Sequence, residues 1–204
     1  MNSKSTYRTV EALSTGMYKE KGSKFIANVV PCYSEEEAKV FLEEWRKQHH
    51  QARHVCYAYR FGLYQDVFRA NDDGEPNNSA GAPILGQIQS FDLSNVLIGV
   101  IRYFGGTKLG VGGLINAYRS AAKEALELAT IIEKEVFEWI KLEFNYTDMP
   151  SIMSFIKQHN LQTSQQHFEL NCELVLALPL AKKENIKQEL ADFSSLEMSL
   201  LGTY

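Results

Sequence analysis

The amino-acid sequence predicts an α+β protein with two domains, residues 1–134 and residues 135–204. The chain of 204 residues is 45% hydrophobic, which suffices for a packed core and is too much for a disordered chain. The charge changes at the predicted boundary: residues 1–134 carry 16 Lys and Arg against 15 Asp and Glu, whereas residues 135–204 carry 5 against 10. The order of predicted elements changes there too, from an irregular α/β pattern to a regular βαββαβ pattern.

The first domain is predicted to begin with β-strands. Tyr7–Val10 and Met17–Pro31 are rich in β-prone residues, and the basic turn Lys19–Lys24 lies within the second segment. Ser34 is a typical helix N-cap, and Glu37, three residues later, is placed to complete a capping box. The buried stripe of that helix is predicted to consist of Ala38, Phe41, Leu42 and Trp45.

A strand, a polar turn and a second helix are predicted next. His54–Gly62 alternates between two faces, as a strand does, and places Tyr57 and Tyr59 on the same face. Asn71–Pro76 has the composition of a turn, and Pro83 suits the first position of a helix. The core face of this helix is predicted to consist of Ile84, Leu85, Ile88 and Phe91.

The stretch Val96–Ala129 organises the first domain. Val96–Val100 is an unbroken apolar run, which predicts a strand buried on both faces. A glycine-rich loop follows, and from Leu114 the apolar period becomes that of a helix. Because the N-terminus of a helix leaves backbone N–H groups unpaired and carries positive dipole charge, this loop is predicted to attract anions.

The predicted anion-binding face combines basic side chains with the first N–H groups of this helix. Its members are Arg102, Tyr103, Lys108, Gly112, Gly113, Arg119 and Lys123. Arg119 and Lys123 are four residues apart and therefore share one flank of a helix. RNA phosphates suit such a face, and affinity for them falls with salt. A tight glycine turn that binds nothing is the simpler interpretation of the same pattern.

Established phosphate-binding motifs are not matched by this loop. The Walker pattern GxxxxGK[ST] fails because Gly110 is followed by Val111, and the dinucleotide pattern GxGxxG fails because its last position is Ile115. No grouping of a nucleophile with a base is visible, which favours a non-enzymatic role. The sequence indicates no cofactor.

A second set of residues is a weaker candidate for ligand contacts: Lys24, Arg60, Asp72, Asp73 and Glu75. Basic residues beside the aromatic strand His54–Gly62 are typical of single-stranded nucleic acid binding, and also of ordinary sheet packing. The carboxylates suggest a divalent cation. The EF-hand register, however, places Arg69 and Ala80 at ligand positions, so no metal site is predicted.

The sequence also predicts a cytoplasmic location. The three cysteines are widely separated and form no CxxC pair, which is typical of reduced thiols. No apolar run approaches the ~20 residues that span a bilayer, and the first residues lack the apolar core of a secretory signal. No membrane partner is expected.

The second domain is predicted to have a ferredoxin-like βαββαβ fold. Its elements are the strand Val136–Tyr146, a helix capped by Asp148–Pro150, the strands Gln162–Phe168 and Cys172–Leu178, the helix Leu180–Phe193 and the strand Leu196–Leu201. Its acidic composition argues against an electrostatic nucleic-acid module. A supporting role or a protein partner is the simplest expectation for this domain.

Several blocks of the chain resemble the IMPACT/YigZ family. RYFGGTKLGVGGLINAY, at Arg102–Tyr118, is similar to the family signature. Lys21–Ala27, Ala52–Gly62 and Asp72–Leu85 resemble further blocks, in the family order. The resemblance covers nearly the whole chain and is to the bacterial two-domain form.

This resemblance implies a role in the control of translation. It implies that the first domain resembles domain IV of elongation factor G and the second resembles domain V, so RNA or the ribosome is the implied partner. Eukaryotic members carry an additional N-terminal RWD domain, through which they act on the pathway of a translation-inhibiting kinase. Because the family region begins within about the first twenty residues here, that role is not expected for this chain.

Two alternatives to RNA binding remain open at the level of sequence. One is a phosphate- or nucleotide-binding enzyme of kinase-like fold, in which Lys108 and the carboxylates of Asp72–Glu75 would hold phosphate and Mg²⁺. The other is a protein-binding adaptor that uses the surface Phe104–Leu114.

Overall fold

The computed structural model describes residues 5–62 and 67–203. They form two compact units: one comprises residues 7–134, and the other begins at Glu135 and also includes Thr6. The expected connection near residues 133–136 is largely a strand, which pairs with a strand at the start of the chain. Within the described ranges, no helix is long and apolar enough to cross a membrane.

The first unit is a sheet covered by helices on both faces. Its elements in chain order are β1 (Thr6–Val10), β2 (Ser14–Glu20), β3 (Ser23–Pro31), α1 (Glu35–Gln48), β4 (His54–Phe61), β5 (Val67–Asn71), α2 (Gly81–Ser90), β6 (Val96–Tyr103), α3 (Gly110–Leu128) and β7 (Ile131–Glu135). The main sheet has the order β2-β3-β6-β4-β5, and its neighbouring strands are antiparallel. β1 and β7 form a separate two-stranded sheet.

The central strand β6 is buried on both faces, as the apolar run predicts. Ile98 and Val100 belong to the core under α2 and α3, whereas Leu97 and Ile101 belong to the core under α1. Gly99 lies against α1, because a Cβ atom there would be 2.3 Å from the Trp45 ring. Alternate side chains of β6 therefore pack into two separate hydrophobic cores, one on each face of the sheet.

The start of α1 confirms the predicted N-cap and corrects the capping box. The backbone N–H of Glu37 donates to Ser34 Oγ at 3.1 Å. The Glu37 carboxylate accepts instead from the N–H of Tyr33 at 2.8 Å, one residue before the cap. Both bonds satisfy donors that a helix end would leave unpaired.

Three boundaries differ from the sequence-based prediction. α3 begins at Gly110 rather than Leu114, since glycines carry no apolar period to mark the first turn. Pro83 is the third residue of α2 rather than the first. The strand Val67–Asn71 was not predicted, because it is a short edge strand with mostly exposed side chains.

The second unit confirms the ferredoxin-like prediction. Its elements are β8 (Phe137–Asn145), α4 (Met149–Gln158), β9 (Gln162–Phe168), β10 (Asn171–Pro179), α5 (Lys183–Leu190) and β11 (Glu197–Thr203). The antiparallel sheet has the order β11-β8-β10-β9, so the first and third strands of the unit are central. Asp148 precedes α4 but makes no capping bond, because its carboxylate accepts from the Ser195 hydroxyl. The expected likeness to elongation factor G stays a prediction.

Candidate anion-binding cleft

A cleft of about 470 Å³ lies in the first unit, where β6 ends and α3 begins. Its charged and polar lining consists of Arg53, His54, Glu75, Arg102 and Lys108. These residues come from the start of β4, the loop before α2, the end of β6 and the loop before α3. The antiparallel pairing of β4 with β6 sets His54 opposite Arg102, which brings two of these segments together.

Arg102 and Glu75 form a buried ion pair at the inner end of this cleft. Arg102 Nη1 donates to Glu75 Oε1 at 2.5 Å, and the two residues are only 7% and 8% exposed. The Tyr118 hydroxyl donates to the same carboxylate oxygen at 2.8 Å. Nε of Arg102, in contrast, has no hydrogen-bond partner among the described residues. Buried polar groups are normally satisfied, so this donor is an exception that needs an explanation.

A thiol and a phenol lie behind the ion pair. Cys56 Sγ is 3.3 Å from the Tyr118 hydroxyl and 3.0 Å from the carbonyl oxygen of Asp72. Burial raises the pKa of the Cys56 thiol and the pKa of the Tyr118 hydroxyl far above their ordinary values. Both groups are therefore neutral at physiological pH, and Cys56 has no thiolate character that would make it a nucleophile.

The carboxylates of Asp72 and Asp73 are occupied by internal bonds. Asp72 accepts from the N–H groups of Ala80 and Gly81 at 2.9 and 2.8 Å, and so caps the start of α2. Asp73 accepts from the N–H of Val55 at 2.7 Å, and its other oxygen is 2.7 Å from the Arg46 guanidinium. In the part of the chain that the structure describes, no three metal-ligating side chains are grouped. Asp72 and Asp73 thus have structural roles in the connection from β5 to α2, where Asp72 binds the start of α2 and Asp73 binds β4.

His54 is fixed at the wall of the cleft by a backbone bond. Its Nδ1 lies 2.7 Å from the carbonyl oxygen of Asp73, and a carbonyl only accepts, so Nδ1 carries a proton. Nε2 lies 4.0 Å from Glu75 Oε1. The imidazole therefore has a fixed orientation and keeps one ring nitrogen for another partner.

The first turn of α3 supplies backbone donors at the cleft. Gly110 lines the cleft and has a φ of +71°, a conformation that favours glycine. The preceding residue, Leu109, offers no side-chain cap, and the first turn of α3 contains no acidic residue. The N–H groups of Gly110, Val111 and Gly112 precede the first intrahelical hydrogen bond and have no acceptor within the helix. Gly112 is therefore a donor as predicted, whereas the N–H of Gly113, the fourth residue of α3, donates to the carbonyl oxygen of Leu109 within the helix.

The predicted face is only partly assembled around the cleft. Arg102 and Lys108 line it, but the Arg102 guanidinium is already paired with Glu75. Tyr103 lies on the opposite side of the sheet, where its hydroxyl is 2.8 Å from His49 Nδ1. Lys24 pairs with Tyr103 across the β3–β6 ladder.

The remaining predicted residues lie farther along the elements. Arg119 and Lys123 are exposed on the outward side of α3, and Lys123 Nζ is 3.4 Å from Glu127. Arg60 lies opposite Val96, six residues from His54 and hence about 20 Å along the strand from the cleft. Arg53, which lines the cleft, was not among the predicted residues. No local pattern marks it, since only the pairing of distant strands places it there.

The fold and the cleft together define the class of protein. It is a two-domain α+β protein whose first domain carries a basic cleft at an uncapped helix N-terminus and whose second domain has a ferredoxin-like fold. Residues 21–126 match the Impact N-terminal domain, and residues 142–195 match the Domain of unknown function (DUF1949). The chain belongs to the IMPACT family.

Known proteins of similar sequence cover most of the chain. IMPACT family member YigZ of Escherichia coli is 33% identical over 184 residues, which are 89% of this chain and 90% of YigZ. IMPACT family member YvyE of Bacillus subtilis is 34% identical over 151 residues, which are 74% of this chain and 70% of YvyE. A crystal structure of a protein described as hypothetical superposes with a TM-score of 0.78 at 31% identity, over 97% of this chain and 98% of that one.

Proposed function

We propose that this protein acts in the control of translation by binding RNA, free or within the ribosome, through the cleft and the outward side of α3. Family membership supports the link to translation. The observation that carries RNA binding is the charge of the cleft, where Arg53, Arg102 and Lys108 meet the single carboxylate of Glu75 at an uncapped helix N-terminus. Phosphate is the anion that suits basic side chains and helix N–H groups together.

The outward side of α3 extends this basic surface away from the cleft. Gly112, Arg119 and Lys123 are exposed along the helix. The distance from Gly112 to Lys123 is about 16 Å at the helical rise of ~1.5 Å per residue. A strand that enters the cleft would therefore have further cations within reach along α3. In this proposal the second unit does not hold RNA, because residues 135–204 carry 5 basic residues against 10 acidic ones.

The salt dependence of RNA binding tests this proposal. Lys108→Ala combined with Arg119→Ala removes two exposed cations, and we expect weaker binding of single-stranded RNA and of ribosomes. Each lost phosphate contact should reduce the slope of log affinity against log salt by about 0.7 for single-stranded RNA and by about 1 for a duplex. The measurement is binding to the wild type and the double variant at several salt concentrations.

A matched control is available on the other face of the sheet. Lys39 and Lys47 are exposed on α1, so Lys39→Ala with Lys47→Ala makes the same change in net charge. We expect this variant to bind RNA with the affinity and slope of the wild type. If both double variants behave alike, the contribution of α3 is only that of net charge, and the proposal is wrong.

A protein partner for the second unit is a separate candidate, favoured by the edge strand β11. Met198, Leu200 and Leu201 on this strand are exposed, and edge strands offer unpaired backbone groups to an added strand. A photo-crosslinking residue at Leu200 is expected to form a specific protein adduct in cells. The same residue at Glu189, exposed on α5, is the control and should form none.

A further inference from the structure

The cleft has an apolar wall in addition to its charged groups. Phe104 and Val111 line it and are 46% and 52% exposed, which is unusual for large apolar side chains that share one concave surface. Pro76, Leu109 and Leu114 complete the apolar lining. A volume of about 470 Å³ is within the range of small-ligand sites. A ligand that fills this cleft needs an apolar part, which a bare phosphate group lacks.

The cleft also offers cationic side chains and backbone N–H groups to the anionic part of such a ligand. Arg102 lines the cleft and is 7% exposed, and its Nε, which is shielded from solvent, has no hydrogen-bond partner among the described residues. Lys108 and Arg53 are exposed cations on the same lining. The first N–H groups of α3, from Gly110 onward, have no side-chain cap. This set of donors matches the oxygen atoms of a phosphate monoester.

The planar part of the ligand has an aromatic partner next to the same cation. The guanidinium carbon of Arg102 lies 5.6 Å from the centroid of the Phe104 ring and 5.5 Å from that of the Phe25 ring. The two contacts hold the cation beside the exposed ring of Phe104. Nucleobases stack on such rings regardless of their identity. His54 Nε2, at the wall, is left for a hydroxyl or a ring nitrogen.

We propose that the cleft binds one nucleoside monophosphate unit, with its base on Phe104 and its phosphate at Lys108 and the first turn of α3. The unit is either a free mononucleotide or the phosphorylated end of an RNA strand. This inference rests on the proposed function, since it names the part of the RNA that enters the cleft. It differs from general RNA binding in requiring both an aromatic ring and a terminal phosphate.

Titrations with AMP, adenosine and ribose 5-phosphate test both halves of the site. NMR of the ¹⁵N-labelled full chain reports affinity and location together, through the backbone amides of Gly110, Gly112 and Gly113. We expect AMP to shift these amides and to bind more tightly than adenosine or ribose 5-phosphate. If AMP leaves these amides unshifted at millimolar concentration, the inference is overturned.

Variants of Phe104 separate stacking from charge. Phe104→Leu keeps an apolar side chain and should weaken AMP binding by about 5- to 150-fold, the range expected for loss of one stacked base. Binding of ribose 5-phosphate should change little, and Phe104→Trp should restore AMP binding. Unshifted amides elsewhere in the spectrum serve as the check that each variant is folded. If Phe104→Leu weakens AMP and ribose 5-phosphate equally, the ring does not hold a base and the proposal is wrong.

The source of the nucleotide is decided with short RNA strands that end in a 5′-phosphate or a 5′-hydroxyl. Tighter binding of the phosphorylated strand, lost in Phe104→Leu, supports recognition of an RNA end. AMP binding with no preference between the strands supports a free mononucleotide. Arg119→Ala lies outside the cleft and should weaken RNA but not AMP. If Arg119→Ala weakens RNA binding but AMP does not bind even to the wild type, the inference about the cleft is wrong and the proposed function stands.

Discussion

A buried carboxylate is neutralised in each domain, but by cations that differ in their contact with water. In the first domain Glu75 pairs with Arg102, and both are buried. In the second domain Glu138 pairs with Lys183 at 2.8 Å and with Lys187, and these lysine side chains are 28% and 31% exposed. The second arrangement links α5 to β8 through two lysine side chains that remain partly in contact with water.

The difference in the exposure of these cations indicates which of the two sites is expected to bind a ligand. A hydrated lysine has water for its remaining donors, whereas a buried guanidinium must find all its acceptors within the protein. Arg102 does not find them, since its Nε is unpaired among the described residues, and the cleft begins at this side chain. A charged group that is buried, incompletely satisfied and next to a cleft is typical of a binding site rather than of a structural fastening.

The largest effect is expected from breaking the first pair. Arg102→Met leaves the Glu75 carboxylate buried without its cation, which should lower the free energy of unfolding by about 3–5 kcal/mol. Urea unfolding of the variant and the wild type measures this loss. Adding Glu75→Gln to Arg102→Met should recover much of the stability, because the uncompensated charge is gone. A loss below about 1 kcal/mol for Arg102→Met would mean that water reaches this pair freely.

A smaller effect is expected from Glu138→Gln in the second domain. The pKa of Glu138 is lowered from its ordinary value of 4.5: burial opposes this change, but the hydrogen bonds from Lys183 and Lys187 outweigh it. Hydrogen bonds to charged groups contribute about 1.5–3 kcal/mol, which is the loss expected at neutral pH.

The pH dependence of unfolding tests the lowered pKa of Glu138. Because the folded-state pKa lies below the unfolded one, the stabilisation from Glu138 is complete above pH 4.5 and is lost as the pH falls through the folded-state pKa. The wild type and Glu138→Gln should therefore converge in stability as the solution becomes more acidic. Parallel curves down to the acid transition would contradict a lowered pKa.

The sequence predicts those features of both domains that depend on local periodicity. The apolar run Val96–Val100 identifies the central strand, and the βαββαβ order identifies the second fold. Boundaries without a periodic signal were missed, such as the start of α3 at Gly110. Such a start depends on backbone conformation rather than on side-chain polarity.

The candidate cleft could be predicted only in part, because its contacts join distant segments. The loop before α3 and its lysine are visible as a motif, but the Glu75–Arg102 and Glu75–Tyr118 bonds span 27 and 43 residues. Asp72 and Asp73 are candidate ligands in the sequence because carboxylates cluster in one turn there, and the sequence does not show which groups their oxygen atoms accept from. In the fold their oxygen atoms are used by backbone N–H groups and by Arg46.

Tyr118→Phe tests how much of the first cluster depends on its neutral member. The hydroxyl donates to Glu75 Oε1, which keeps its bond to Arg102 after the substitution. The thiol of Cys56 keeps the carbonyl of Asp72 as its acceptor. We expect a loss of about 1 kcal/mol in the free energy of unfolding, the usual net contribution of one hydrogen bond. A loss as large as that of Arg102→Met would mean that the Tyr118 hydroxyl stabilises the buried Glu75 carboxylate as much as Arg102 does.

The smallest effect is expected from Lys187→Ala, which removes one of the two hydrated partners of Glu138. Lys183 remains 2.8 Å from the carboxylate, so the charge stays compensated and the loss should be about 1 kcal/mol or less. The salt dependence of this loss should differ from that of Arg102→Met. Because the Lys187 side chain is partly in contact with water, most of its loss should disappear in about 1 M NaCl, where the screening length is ~3 Å. The loss for Arg102→Met should persist in the same salt, since the Arg102–Glu75 pair is buried and is screened much less. Urea unfolding of both variants at low and high salt measures the contrast. Equal salt sensitivity would mean that water reaches the carboxylates of Glu75 and Glu138 alike. The proposed contrast between a buried pair in the first domain and a hydrated pair in the second would then be wrong.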